Sequence, residues 1–493
     1  MQKRESKQGT SLHKYHIDHN AEVASRLRCS ALIGSARADH AATNKSAFGK
    51  IFMTMRWTGR VGNLLFGSAA LLGIASWLNA SVPTEAVALN LPSAASTPAR
   101  QLFENFPLLS SHVHVYEDSN PQPNSDLQQS QQQHKRVKGQ DWADLRRQLQ
   151  QYHLLFPGAA PSSLKKCQPC TFRVIEEDAS VFAEAKLHKL ARWVSHPPEG
   201  CVLGLVELVG YYQSYRYFEP IRKSIIHPAL SFPKANAPVD EPTIPTTFRA
   251  PTPTEPGPWA TVQREANELL TSARRRAASG ILIGVQVRLG DKYQAAPTTT
   301  TTSPTSPARP TMADAPHEQP YAPATWGYYR AAMKHLAQLL GSVAGQRTKS
   351  KRTSLSGVAF FVTAGGSMLN NSADMAEARQ HLSLLGTEDV SIVFSPAQDP
   401  HVDLTVLRGC DGLVIGPSTL GWWAAYLSRL PKGHVVAPLH IINPRLPANH
   451  ELRRGFQLHD YYPPHWMLLD NDGEGHVKAA KDFEVASNIH THT

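Results

Sequence analysis

Cysteine is scarce: the 493 residues hold five, at Cys29, Cys167, Cys170, Cys201 and Cys410. Only Cys167 and Cys170 form a C-x-x-C pair. No second pair and no histidines stand at zinc-ligand spacing, which excludes a zinc-finger scaffold. A local disulfide or two free thiols fits the pair better. The odd total leaves a thiol unpaired or shared between chains, so cysteine usage does not decide the compartment. Long apolar runs are as rare. The one candidate, residues 64–78, falls short of the ~20 residues a spanning helix needs. Ser68, Ser76, Gly67 and Gly73 interrupt it. Its place well inside the chain does not suit a signal peptide. The stretch is expected to be a buried helix rather than a membrane anchor. Nucleic-acid signatures are missing too: no zinc-finger spacing, no RNP-like aromatic strand, no basic region joined to heptads. The net charge of +10 then suits a small phosphorylated substrate or an anionic membrane surface as readily as a nucleic acid. Nucleic acid is not expected as a partner.

What is present is enough apolar sequence, 41%, for a globular core, in a chain long enough for two domains. The 37 prolines cluster. They concentrate in segments whose composition cannot offset the entropy of ordering. Such segments are a Gln/Ser-rich run at 119–134, a Pro/Thr-rich break at 232–259 and a Thr/Ser/Pro run at 295–320. Residues 1–54 are polar and aperiodic. The expected division is a disordered extension at 1–54, an N-terminal, acceptor-side α/β domain at 55–280, a C-terminal donor-binding α/β domain at 281–470, and a tail at 471–493.

Between the inserts, short apolar runs end at turn residues: 281–287, 358–363, 390–394, 412–415 and 434–439. Runs of that length read as buried parallel strands. Helical spacing at 326–344 and 419–430 alternates with them. The pattern predicts doubly wound sheets that bind ligands beyond the carboxyl ends of the strands.

Three segments carry chemistry. Gly59-Arg60-Val61-Gly62-Asn63 leads into the apolar helix, and glycines ahead of a helix let backbone N–H groups approach an anion. Gln286-Val287-Arg288-Leu289-Gly290-Asp291 follows a strand. An arginine fork at a strand end suits a diphosphate, although an Arg288–Asp291 salt bridge is the plainer reading of that spacing. Residues 403–427 run helix, strand, helix through Pro417-Ser418-Thr419. Ser418 or Thr419 is expected to cap the second helix, whose start offers a phosphate site. At least one of Trp422 and Trp423 is expected in the core.

In this order the segments resemble the motifs of the alpha-1,2-fucosyltransferases, family 11 of the glycosyltransferases. The family's G-R-x-G-N-Q-x-F is met by Gly59, Arg60, Gly62, Asn63 and Phe66. Its H-x-R-R-G-D-Y is met by Arg288, Gly290 and Asp291, with Tyr293 displaced by one. Its D-x-x-L-x-x-C…W-W-x-A-x-L motif is met by Asp403, Leu407, Cys410, Ile415, Thr419, Trp422, Trp423, Ala425 and Leu427. Two further stretches, 210–218 (GYYQSYRYF) and 328–333 (YYRAAM), are similar to its G-Y-F-Q-S-x-K-Y-F and Y-Y-x-x-A-M segments. The resemblance runs from about residue 55 to about residue 470. Departures fall on the family's histidine (Gln286), its second arginine (Leu289), the Gln after the first asparagine (Leu64) and a strand end (Ala364-Gly365-Gly366).

The resemblance implies a GT-B-like fold, two Rossmann-like doubly wound domains facing a cleft, with disordered inserts. It implies an inverting galactoside alpha-1,2-fucosyltransferase that takes GDP-fucose and galactose-terminated glycans, without metal or cofactor. It places the work at the lumenal side of the Golgi membrane. Arg288, Asp291 and Asn63 are the expected catalytic residues. Gly59, Arg60, Gly62, Gln286, Gly290, Ser418, Thr419 and Trp422 are expected to bind the donor. The departures admit an alternative, a member that binds nucleotide or glycan without turnover. Asp470-Asn471-Asp472 imitates a metal motif but offers too few ligands.

Overall fold

A computed structural model describes residues 50–55, 60–80, 82, 84–91, 98–117, 170–175, 182–197, 203–231, 258–277, 280–288, 320–348, 357–365, 371–383, 390–396 and 399–482. Residues 1–49 of the extension expected at 1–54 and most of the three low-complexity runs lie outside them. So does Cys167, and with it the C-x-x-C pair. The last residues of that extension, 50–54, belong to a buried strand.

The first lobe comprises β1 (Lys50–Met55), α1 (Val61–Asn79), β2 (Thr84–Leu91), α2 (Pro98–Asn105), β3 (His114–Glu117), β4 (Cys170–Ile175), α3 (Glu184–Ser195) and β5 (Leu203–Val209). Its five strands stand in the order β3-β2-β1-β5-β4, every pairing parallel. The chain leaves β1 toward one edge and returns on the other side, so the direction of winding reverses between β1 and β5. Irregular helical turns over residues 215–229 then lead away from β5.

The second lobe comprises α4 (Pro258–Arg275), β6 (Leu282–Val287), α5 (Trp326–Thr348), β7 (Val358–Ala364), α6 (Asn371–Leu382), β8 (Val390–Phe394), α7 (Pro400–Arg408), β9 (Gly412–Ile415), α8 (Thr419–Leu427), β10 (Val435–Pro438), β11 (Met467–Leu469) and β12 (Lys478–Ala479). Its sheet runs β12-β11-β10-β9-β6-β7-β8. All its pairs are parallel except β11 with β12. Winding goes outward through β6, β7 and β8, then crosses back to β9, β10 and β11. The switch falls between β6 and β9, where an open α/β sheet receives its ligand. The expected α/β class, two doubly wound parallel sheets, is the observed architecture.

The five apolar runs read in the second half of the chain form β6 to β10, and β6 and β7 are buried along their whole length. Both faces of this sheet carry helices, which is why these strands lack alternation. α7 starts sharply because Pro400 sits at its first position and the Asp399 carboxylate accepts from His401 N–H at 2.8 Å. α4 buries Val262, Ala266 and Ala273, and Arg274 near its end pairs with Asp411 at 3.0 Å. It therefore packs as part of the second lobe, although it precedes residue 280. The second sheet also runs past residue 470, through β12. Asn471 is fully buried. Its side chain accepts from His440 N–H and donates to the carbonyls of Pro323 and His440. Within the Asp-Asn-Asp string Asn471 alone is buried, as a brace, while Asp470 and Asp472 reach the surface.

α1 is longer than the run read from sequence and, by length and composition, long and apolar enough to cross a membrane, yet 83% of its most apolar stretch is buried in the protein. It is the core helix of the first lobe, apolar all round because it is covered all round.

Candidate active site at the junction of the two sheets

α1 and α8 come from different lobes and lie side by side. Gly62 meets Thr419, and one turn on Phe66 meets Trp422 and Trp423, with ring centroids 4.4 Å and 5.1 Å away. The helices therefore run in the same direction, with their N-termini at one end of the junction. A Cβ on Gly62 would stand 2.3 Å from Thr419 Oγ1 and 2.7 Å from its carbonyl carbon. Glycine is what lets the two helix starts touch.

Neither start is capped by a side chain. Arg60 and Ser418 occupy the N-cap positions in extended conformation without a side-chain cap, and neither first turn holds an acidic residue. The expected Ser418 or Thr419 cap is not made. The two helix starts, with their dipoles aligned, thus meet at one place. Ser418 is buried, whereas Arg60, Asn63 and Thr419 keep part of their surface.

The strand ends beneath are braced from α5. Tyr328 donates to the Ile415 carbonyl at 2.7 Å, and Arg288 N–H donates to the Tyr329 hydroxyl at 3.1 Å. Both tyrosines are fully buried. Gly416 N–H donates to the Gln286 carbonyl at 2.9 Å. A Cβ there would stand 2.4 Å from the Tyr329 hydroxyl oxygen and 3.1 Å from Arg288 N. Arg288 is therefore fixed at the switch point, half-buried, beside the start of α8. The two tyrosines matched the family segment, but the sequence assigned them no task. Their signal is a pair of adjacent aromatic hydroxyls at the start of a helix that follows the arginine strand.

Gln286 lies within β6 and is 3% exposed. Its Nε2 donates to the Val287 carbonyl at 3.2 Å, while its Oε1 is buried without a partner and points to the first turn of α8, near Gly421. Asn63 accepts from Gln213 Nε2 at 3.2 Å, which ties α1 to the loop after β5. Trp422, expected against the donor, has no exposed surface. Its indole N–H donates to the Tyr461 carbonyl at 2.9 Å, and its ring stacks on Tyr426 at 4.8 Å. It packs the lobes together, as does Trp423. Gly59, Gly290 and Asp291 lie outside the described residues.

Asp403, in the first turn of α7, carries a carboxylate that sequence matching quoted without a role. It accepts from Ser395 Oγ, just past β8, at 2.9 Å. Burial pushes its pKa up to about 7 against the lowering effect of the Ser395 hydrogen bond, and repulsion from Asp399 and Glu265 adds to the rise. Among the described residues no three His, Cys, Asp or Glu side chains gather as a metal site.

No family model matches the chain, and no curated protein matches it in sequence. Among solved structures it is similar to the E. coli heptosyltransferase WaaC with ADP, at 11% identity and TM-score 0.30, covering 89% of this chain and 99% of that one. It is similar to POFUT1 in complex with GDP-fucose, at 10% identity and TM-score 0.36, covering 80% and 99%. A third is the glycosyl transferase family 9 protein of Veillonella parvula, at 10% identity and TM-score 0.32, covering 90% and 89%. All three are glycosyltransferases.

Proposed function

We propose that this chain moves L-fucose from GDP-β-L-fucose to the 2-hydroxyl of a terminal galactose, inverting the anomeric carbon. The observation that carries the reading is the meeting of two uncapped helix N-termini at the switch point, beside Arg288. A diphosphate is the ligand class that such an end favours. When the glycosidic bond breaks, negative charge grows on the β-phosphate. Donors already fixed in place stabilise that charge without reorganising. Arg288 and the first turn of α8 supply them, with Arg60 and the first turn of α1 facing. The positive charge comes from these groups, so the reading assigns no metal or cofactor.

Asn63 is the residue proposed to hold a sugar hydroxyl, and Asp291 the candidate to take the acceptor proton. Asp403 offers a carboxylate near the ends of β7 and β8, and guanine presents two donors, N1–H and N2–H2, along one edge. The motif resemblance supplies the sugar and the linkage, and with them a workplace at the lumenal side of the Golgi membrane.

A second reading has one observation behind it. Gln286 stands where the family has histidine, carries no charge and leaves Oε1 unpartnered. That favours nucleotide binding without turnover. The test is fucose transfer from GDP-fucose to galactose-terminated acceptors, beside Arg288→Ala. Transfer by the unmodified chain, lowered about 100-fold or more in the variant, supports the enzyme. GDP binding without transfer selects the second reading, and absence of both binding and transfer removes the two together.

A further inference from the structure

The loop after β5 is held in a conformation that backbone energetics disfavour. Tyr212 has φ 50°, the only non-glycine residue with positive φ among those described, and Gly210 before it has φ 140°. A bulky residue seldom enters the left-handed region unless its surroundings hold it there. Here they do. The Tyr212 ring is 1% exposed and meets Tyr217 edge-on, 5.3 Å between centroids. Tyr217 is fixed in turn, its hydroxyl accepting from Ala183 N–H at 2.9 Å. On the other side Gln213 reaches Asn63 of α1 at 3.2 Å.

The turn of the backbone sends the neighbouring rings to opposite sides. Tyr212 goes into the core, while Tyr211 is 48% exposed. Among the described residues only Tyr321 is another large apolar side chain left so open, at 40%. Tyr211 leaves the carboxyl end of β5, beside β1, at the switch point of the first sheet. It is two residues from the glutamine that binds Asn63, so it stands next to the junction on the first-lobe side.

We infer that Tyr211 is a stacking platform for the pyranose ring of the acceptor sugar. An exposed ring on a strained loop, where a doubly wound sheet receives ligands, suits a flat apolar surface. Galactose has one: its axial 4-hydroxyl points to one face and leaves C–H bonds at positions 3, 4 and 5 on the other. The strain at Tyr212 holds the platform in place before the sugar arrives. The identity of the sugar as galactose rests on the fucosyltransfer reading, while the platform rests on the loop.

Saturation-transfer NMR on the full chain with GDP and methyl β-D-galactoside tests it. Protons at positions 3, 4 and 5 should take up most saturation in the unmodified protein. Tyr211→Ala should lose that pattern, and Tyr211→Phe should keep it, with thermal melting unchanged in both. Where transfer is measurable, Tyr211→Ala should raise the acceptor KM about tenfold, the factor that 1.4 kcal/mol represents, and leave the KM for GDP-fucose unchanged. No saturation in the unmodified protein, or the same pattern in Tyr211→Ala, overturns the inference. The expected pattern in a chain that transfers no fucose leaves the platform standing and removes the fucosyltransferase.

Discussion

Asp403 couples the molecule to pH. Its carboxyl has an ordinary pKa near 3.8 and stands at about 7 in the folded chain. A raised carboxyl pKa contributes stability while the group is protonated, and that contribution is lost as pH rises through the folded value. The loss accumulates between about pH 4 and pH 7 and amounts to roughly 4 kcal/mol. Asp403→Asn should remove it, so variant and parent should draw apart in urea melts as pH climbs from 4.5 to 7.5. Parallel curves would show that the carboxyl titrates normally. Ligand binding should run the other way. If the carboxylate receives the guanine edge, GDP affinity should fall about tenfold for each unit below pH 7, as protonation removes the acceptor, and the Asn variant should lose that dependence.

Residues of this kind are hard to read from a sequence. The place of Arg288 at a strand end was legible from the apolar run before it, and the structure puts it directly after β6. Asp403 was visible only as a letter in a motif, since nothing in one sequence tells a buried carboxylate from a solvated one in a first helical turn. Tyr329 was hidden for a similar reason. Its hydroxyl receives the Arg288 amide from a helix 41 residues further on, across an insert that carries no pattern. Tyr329→Phe should leave that amide without its partner, at about 1–3 kcal/mol for a buried group. GDP binding should weaken with it, read by calorimetry of ligand binding.

At the scale of elements, β6 to β10 followed from apolar runs and their punctuation, and so did the burial of α1, whereas the five strands of the first lobe were not read from the sequence. The pairing of α1 with α8 did not follow either, because it joins segments more than 350 residues apart that give no sign of each other. That pairing changed the meaning of two residues. Gly62 was read as a turn glycine before a phosphate-binding helix, yet what demands glycine is the close approach of Thr419. Trp422 was read at the donor, yet it fills the space between helices. Gly62→Ala therefore tests the junction directly. The methyl cannot fit 2.7 Å from a backbone carbon, so the helices must part. Overpacking of this kind costs about 1–3 kcal/mol. If the proposed anion site spans both helix starts, GDP affinity should fall together with the melting temperature. A variant that melts lower and binds GDP unchanged would detach the site from the pairing.

At the scale of the molecule, what joins the lobes is unusual for two domains of one chain. Such interfaces are commonly polar and permit hinge motion. This one is largely aromatic: Phe66 and Phe218 from the first lobe pack on Trp422, Trp423 and Tyr426 of the second, with centroids 4.4–6.2 Å apart. Charged ties flank it. Arg216 meets Asp460 at 2.8 Å, and Arg222 donates to the Tyr426 carbonyl at 2.8 Å and lies over its ring. One continuous set of buried side chains runs through both sheets. Lobes that share a core should unfold together, so calorimetry should show a single transition, with a van't Hoff enthalpy matching the measured one. Trp422→Ala should remove about 3–5 kcal/mol and split that transition in two as the lobes part. Two transitions in the unmodified chain would mean that the aromatic junction does not couple them. On the proposed reading GDP would lie across both helix starts, so it should raise the temperature of the single transition by stabilising only the joined form.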